Sequence, residues 1–386
     1  MTAPSTMIHS ALVVSDGIET PDGWLAFADG RILARGSGAS WRELVTGSTT
    51  VVDAAGQIIT PGFVDIHVHG GGGASVTDGA NAIRESLQLH RGHGTTRSVV
   101  SLVTATLPSL VSQLDSIREV MAADPLVLGS HLEGPFLARE YKGAHDPQLL
   151  VPPTERSVAE LLSAADGTLR QVTLAPELPG GLDAVREFVR AGTAVAVGHT
   201  QADYDVARSA FDAGASILTH AFNAMKGIHH RAPGPVSAAI DDSRVSIELI
   251  GDGTHVAASV ARILASAAPG RICLVTDAMA AAGKGDGDYL LGSLGVRVTD
   301  GIARLLEGDS IAGSTLTMDA ALRFAVTGLR LGLADAVDAV TSSPARALGL
   351  EDTIGSLRVG YPADAVLLDG SLVVQRVWAD GLAQVT

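Results

Sequence analysis

The middle of the chain alternates between two textures, and that alternation restricts its fold more than any other feature. Short, almost uninterrupted apolar runs cover residues 63–68, 96–103, 126–132, 172–175, 194–197, 216–218, 245–250 and 272–276. Most are separated by segments of helical periodicity, at 80–90, 109–121, 157–165, 182–191, 202–213 and 256–267. A strand that is apolar along its whole length is buried on both faces, as in a parallel sheet covered by helices. Eight such units over roughly 215 residues predict a (β/α)8 TIM-like barrel, whose usual size is about 250. An open doubly wound sheet is the alternative, but it explains less well why polar residues cluster at the ends of so many strands. Beyond the eighth unit, 289–298 and 301–306 read as a hairpin turning at Asp300-Gly301, and 315–331 and 334–348 as closing helices.

The two ends of the chain share a different texture. Residues 8–14, 23–28 and 31–35 carry β-favouring residues, with a turn at Asp29-Gly30, and 363–368 and 372–378 repeat the pattern with turns at Asp369-Gly370 and Asp380-Gly381. The expected organisation is a small β-sandwich domain made by residues 1–61 and 349–386, flanking a catalytic barrel over 62–348. A hydrophobic content of 46% against 18% charged residues supports cores of this size and excludes disorder. A net charge of −15 argues against nucleic acid and membrane surfaces as partners. A small phosphorylated ligand needs only one local basic pocket and is not excluded. Met1-Thr2-Ala3-Pro4-Ser5-Thr6 has no basic leader pattern, and no run approaches the ~18 apolar residues of a membrane span, so the expected location is cytoplasmic. Cys273, the only cysteine, lies within an apolar run and reads as a small buried hydrophobe. Gly70-Gly71-Gly72-Gly73 lacks the spacing of a phosphate cradle and reads as a flexible loop.

In a barrel of this kind chemistry sits at the C-terminal ends of the strands. The first strand ends Asp65-Ile66-His67-Val68-His69, and its alternation puts both histidines on the inner side. The third ends His131-Leu132-Glu133, the fifth Gly198-His199, the sixth Thr219-His220 and the eighth Thr276-Asp277. Neutral imidazole with carboxylate is a donor set for zinc or a similar divalent ion. A lone histidine at a strand end is as readily a hydrogen-bonded core residue. His67, His69, His199 and His220 together with Glu133 are hard to explain that way. Asp277 beside such an ion would take a proton from an activated water and return it to a leaving amine. His131 is placed to be either a supporting partner or a spare ligand. His9, His90 and His93 read as surface or helix residues.

Pro61-Gly62-Phe63-Val64-Asp65-Ile66-His67-Val68-His69-Gly70 resembles the first-strand signature of the amidohydrolase superfamily. The runs His131-Leu132-Glu133-Gly134-Pro135-Phe136, Lys142-Gly143-Ala144-His145, Gly198-His199-Thr200, Thr219-His220-Ala221-Phe222-Asn223-Ala224-Met225, Asp252-Gly253-Thr254-His255 and Val275-Thr276-Asp277-Ala278 narrow the likeness. Together they resemble the N-acetylglucosamine-6-phosphate deacetylase family, from about residue 55 onward. The resemblance implies removal of the acetyl group from N-acetylglucosamine 6-phosphate, giving glucosamine 6-phosphate and acetate. It assigns the principal ion to Glu133, His199 and His220. Because His67 and His69 are present, it leaves room for a second ion bridged by Glu133. Zinc is the expected metal, with iron, cobalt or manganese as alternatives. A carboxylated lysine bridge is not available, since Lys142, Lys226 and Lys284 end no barrel strand. By the same likeness His145 would hydrogen-bond the substrate carbonyl, and Arg231 and His255 would bind the sugar phosphate. Ala144, Asn223, Ala224, Ile311, Ala312 and Gly313 would make further substrate contacts, and the protein would be a homodimer. His229 and His230 receive no role. Competing readings are a deacetylase for the galactosamine epimer, a cyclic-amide hydrolase, a deaminase, or a barrel that has lost catalysis.

Overall fold

Eight parallel strands lie side by side in chain order: Phe63–Val68, Thr95–Val103, Val127–Glu133, Leu169–Leu174, Ala194–Val197, Ile217–Leu218, Ser246–Ile250 and Ile272–Val275. In the computed structural model, which describes residues 4–308 and 310–384, they form a nearly closed barrel wrapped by helices. Met1, Thr2 and Ala3 of the N-terminal reading, Asp309, and the last two residues of the expected 349–386 segment lie outside the described residues. The barrel closes between its first and last strands without a regular ladder. There the Asp277 N–H donates to the His67 carbonyl at 2.8 Å and the His69 N–H to the Ala278 carbonyl at 2.8 Å. Below them the Thr276 hydroxyl donates to the buried Asp65 carboxylate at 2.6 Å. The seam therefore runs directly beneath the residues on which a metal site was expected.

The helices form where the sequence provides both an apolar stripe and a start signal. Glu155–Ala165 begins at Thr154, whose hydroxyl accepts from the Ser157 N–H while the Ser157 hydroxyl accepts from the Thr154 N–H. Such a reciprocal cap contributes roughly 1 kcal/mol. Val158, Leu161 and Ala165 then fall on one buried face, and the helix stops at Asp166, whose backbone turns left-handed. Among the described residues no helix is long and apolar enough to cross a membrane.

The terminal segments join in one mixed eight-stranded sheet built from Thr6–Ser15, Ile18–Ala28, Arg31–Ser37, Thr50–Asp53, Ile58–Pro61, Ala365–Leu368, Val374–Ala379 and Leu382–Ala383. Its faces separate by alternation. Ile8, Leu25, Phe27 and Ile59 share one apolar cluster with Leu367 and Trp378, while Met7, Trp24 and Ala26 pack against the segment around Trp41. Arg97, on the second barrel strand, reaches into this sheet and ion-pairs with Asp364 and Asp380, each at 2.6 Å.

Several elements differ from expectation. The helix read over 334–348 is two, Leu333–Val340 and Ser342–Ala347, because Pro344 cannot donate to the carbonyl of Val340. The hairpin is a three-stranded meander, Gly287–Leu291, Leu294–Thr299 and Ile302–Leu305, since the chain also reverses at Gly292, where φ is 56°. Helix Gly234–Asp241 was not expected. The glycine run is no flexible loop: Gly70–Gly71 pairs with Ala74–Ser75, and a Cβ on Gly70 would lie 2.7 Å from the Ala280 nitrogen.

Candidate metal centre

Three of the strand-end residues leave their strands through a left-handed backbone, with φ of 47° at His199, 24° at His220 and 48° at Asp277. Side chains other than glycine rarely adopt this region, at a cost of about 1–3 kcal/mol each. The turn swings each side chain off the strand and over the barrel mouth. His67 and His69 need no such turn, because alternation along one strand already aligns them.

The geometry centres on Glu133. Its Oε1 lies 3.0 Å from Nε2 of His199, 3.0 Å from Nε2 of His220 and 3.5 Å from Nε2 of His67. Its Oε2 lies 3.2 Å from Nε2 of His69 and 3.4 Å from Nε2 of His145. Asp277 faces the first pair, 3.6 Å from His67 and 3.3 Å from His69. All seven residues are buried.

The outer ring nitrogens show what the inner ones present. Nδ1 of His67 donates to Glu248, that of His69 to the Ser101 carbonyl and that of His199 to the Tyr141 carbonyl. With those protons on Nδ1, each Nε2 offers a lone pair inward. Yet Nε2 of His67 and His69 approach to 3.0 Å, and those of His199 and His220 to 3.1 Å. Facing ring nitrogens so close call for a positive charge between them, carried by a proton or by a metal ion. The charges agree. Burial opposes charge on His69, but its hydrogen bonds to the Asp277 and Glu133 carboxylates outweigh it and raise the ring to about 9, so these carboxylates draw positive charge into the place a metal ion would fill. Burial pushes the Asp277 carboxyl up, and His67 and His69 overcome it and hold the group at about 2. Burial lowers His199 to about 4, leaving a neutral imidazole suited to ligation. The residues therefore fit divalent metal. Two buried groups sharing Glu133 have donor atoms close enough to hold an ion, one with His67 and His69, the other with His145 and His199.

A cavity of about 350 Å³ opens over these groups. Ala144, His145, Asn223, Ala224, His255, Ile311 and Gly313 line it beside His69, Glu133, His199, His220 and Asp277. His67 lies beneath its floor. Ala312 packs away from it with Met279 and Val296, and Arg231 is exposed and does not line it. The His255 ring is fixed by Asp252, at 2.6 Å. His145 Nδ1 lies 2.8 Å from the Thr104 hydroxyl and accepts from the Thr104 N–H at 3.3 Å, which assigns its proton to Nε2, on the cavity side.

Two interior residues complete the picture. His131 holds no place at the mouth: its nitrogens bond Ser101 at 2.9 Å and Thr173 at 2.9 Å, and burial with the adjacent His67 ring keeps it neutral. Glu248, absent from the sequence-based site, lies wholly buried behind His67. A carboxylate inside the apolar run 245–250 was the available signal.

The amidohydrolase family profile matches residues 58–383. N-acetylgalactosamine-6-phosphate deacetylase of Escherichia coli O157:H7 is 38% identical over 371 residues, covering 94% of this chain and 96% of that protein. N-acetylglucosamine-6-phosphate deacetylase of Homo sapiens is 36% identical over 345 residues, covering 85% and 84%. Among solved structures, an aspartate-to-alanine mutant of N-acetyl-D-glucosamine-6-phosphate deacetylase from Mycobacterium smegmatis, in complex with N-acetyl-D-glucosamine-6-phosphate, is similar over 100% of both chains. Its TM-score is 0.93 at 41% identity.

Proposed function

The chain belongs to the amidohydrolase family, and from that premise we propose that it hydrolyses the N-acetyl group of N-acetyl-D-glucosamine 6-phosphate to D-glucosamine 6-phosphate and acetate. The observation that carries the reading is Glu133 set between two histidine pairs, with Asp277 on the cavity side.

We assign one ion to Glu133, His199 and His220 and a second to His67, His69 and Glu133, zinc being the metal that imidazole and carboxylate donors suit, with iron, cobalt or manganese as alternatives. A divalent ion bound there polarises a carbonyl and makes a water more acidic. The chain's own groups do the rest. His145 points Nε2–H into the cavity, where it stabilises the negative charge that develops on the acetyl oxygen. The ionised Asp277 carboxylate takes the attacking water's proton and delivers it to the departing sugar nitrogen. Ala144, Asn223, Ala224, Ile311 and Gly313 shape the sugar site, Ala312 supports it from behind without facing the cavity, and His255 takes the phosphate. Arg231 stands outside the cavity of one chain, so its assignment to phosphate belongs with a homodimer in which a second subunit covers the exposed loop 226–231. The acidic surface and the chemistry of a phosphorylated sugar support a cytoplasmic site of action.

The galactosamine epimer is a second reading, favoured by the likeness to the E. coli protein. Acetate release from both N-acetylhexosamines, each with and without the 6-phosphate, decides between them. The gluco 6-phosphate is expected to be fastest, with kcat/KM falling roughly 100-fold on removal of the phosphate, the loss of about 3 kcal/mol of charge-assisted hydrogen bonding. Equal turnover of the unphosphorylated sugar would overturn the substrate assignment, and faster turnover of the galacto phosphate would install the second reading.

A further inference from the structure

Glu248 projects from strand Ser246–Ile250 into the barrel and has no exposed surface. Its Oε2 accepts from Nδ1 of His67 at 3.0 Å and from the backbone N–H of His220 at 3.2 Å, and its Oε1 accepts from the Gln171 amide at 2.7 Å. A buried carboxylate costs several kcal/mol unless it is paired. The arrangement is selective as well as satisfied. His69 and His199 rest their outer nitrogens on neutral backbone carbonyls, whereas His67 alone rests on a full charge. A carboxylate behind a ligating imidazole fixes its tautomer and makes its inner nitrogen a stronger donor. It also adds charge where charge is short. Two divalent ions bring four positive charges, and Glu133 and Asp277 supply only two of opposite sign at the mouth.

We propose that Glu248 is a positioning residue which, by holding and strengthening His67, determines whether the chain carries a second ion between His67, His69 and Glu133. Glu133, His199 and His220 keep their ion without it, because the His220 contact is through backbone and leaves the ring free. The proposal rests on the two-ion reading above, and the test separates the two.

Full-length protein is stripped with a chelator and titrated with zinc alone, bound ions are counted by elemental analysis, and affinities come from competition with a chromogenic chelator. The unaltered protein is expected to bind two ions. Glu248→Gln should keep one at full affinity and bind the second 10–100-fold more weakly. Glu248→Asp retains the charge but draws it back from His67, and should show the same selective weakening to a smaller degree. It carries the test if the glutamine variant does not fold. A merely structural Glu248 would lower the melting temperature of the stripped protein without singling out one ion. Two ions at unchanged affinity in the variants, or equal weakening of both, would overturn the proposal alone. One ion in the unaltered protein would overturn the two-ion reading and this proposal with it.

Discussion

At Asp277 the backbone is held from both sides in a conformation it would not choose. Its N–H donates to the His67 carbonyl at 2.8 Å, and its carbonyl accepts from the Ser314 N–H at 2.7 Å. Gly313 makes this approach possible, since a Cβ there would sit 3.0 Å from the Asp277 oxygen. Strain maintained by such bracing marks a residue whose position matters. Replacing Asp277 by Asn keeps the shape and removes the proton acceptor. Turnover is expected to fall by about 10³-fold, while substrate affinity measured by calorimetry stays within a few-fold; near-normal turnover would take Asp277 out of its role. Most of these residues were legible in the sequence, because a barrel displays strand ends and those ends carried His67, His69, Glu133, His199, His220 and Asp277. Glu248 was not, for although a carboxylate stands out in an apolar run, its partner His67 lies 181 residues away on another strand and no local pattern joins the two. The neutrality of His131 was also hidden, since it depends on Ser101 and Thr173 from other strands.

Among the elements, the second barrel strand has a task beyond the barrel. Arg97 near its start bonds both oxygens of Asp364 and one of Asp380, and also donates to the Pro125 carbonyl at 3.0 Å. This guanidinium ties the terminal sheet to the barrel wall. Arg97→Ala would leave the buried Asp364 carboxylate unpaired, at a cost of about 3–5 kcal/mol. Denaturant unfolding should show that loss, with Arg97→Lys restoring only part because one ammonium cannot replace a forked donor. A change below about 1 kcal/mol in the alanine variant would contradict the clasp. No local pattern announced this pairing, for the partners lie 267 and 283 residues away. Local chemistry also explains which elements were misread. Pro344 divides a helix that periodicity alone would continue, and Gly234–Asp241 opens with Gly-Pro and spans only eight residues, too few for a clear stripe.

For the whole molecule, the alternation of apolar runs and helices made the barrel readable, whereas its closure was not. The first and last strands meet through Asp65, His67, Thr276 and Ala278 instead of a regular ladder. That seam places the strand-one histidines against Asp277 and so turns topology into a site. The account stands on a cation held by each histidine pair together with Glu133. Anomalous diffraction at the zinc edge from crystals of the zinc-loaded protein tests it most directly. Two peaks are predicted, each about 2.0–2.2 Å from its ligands, one against His199, His220 and Glu133 and one against His67, His69 and Glu133. A barrel mouth without a peak, or zinc bound only elsewhere, would contradict the account.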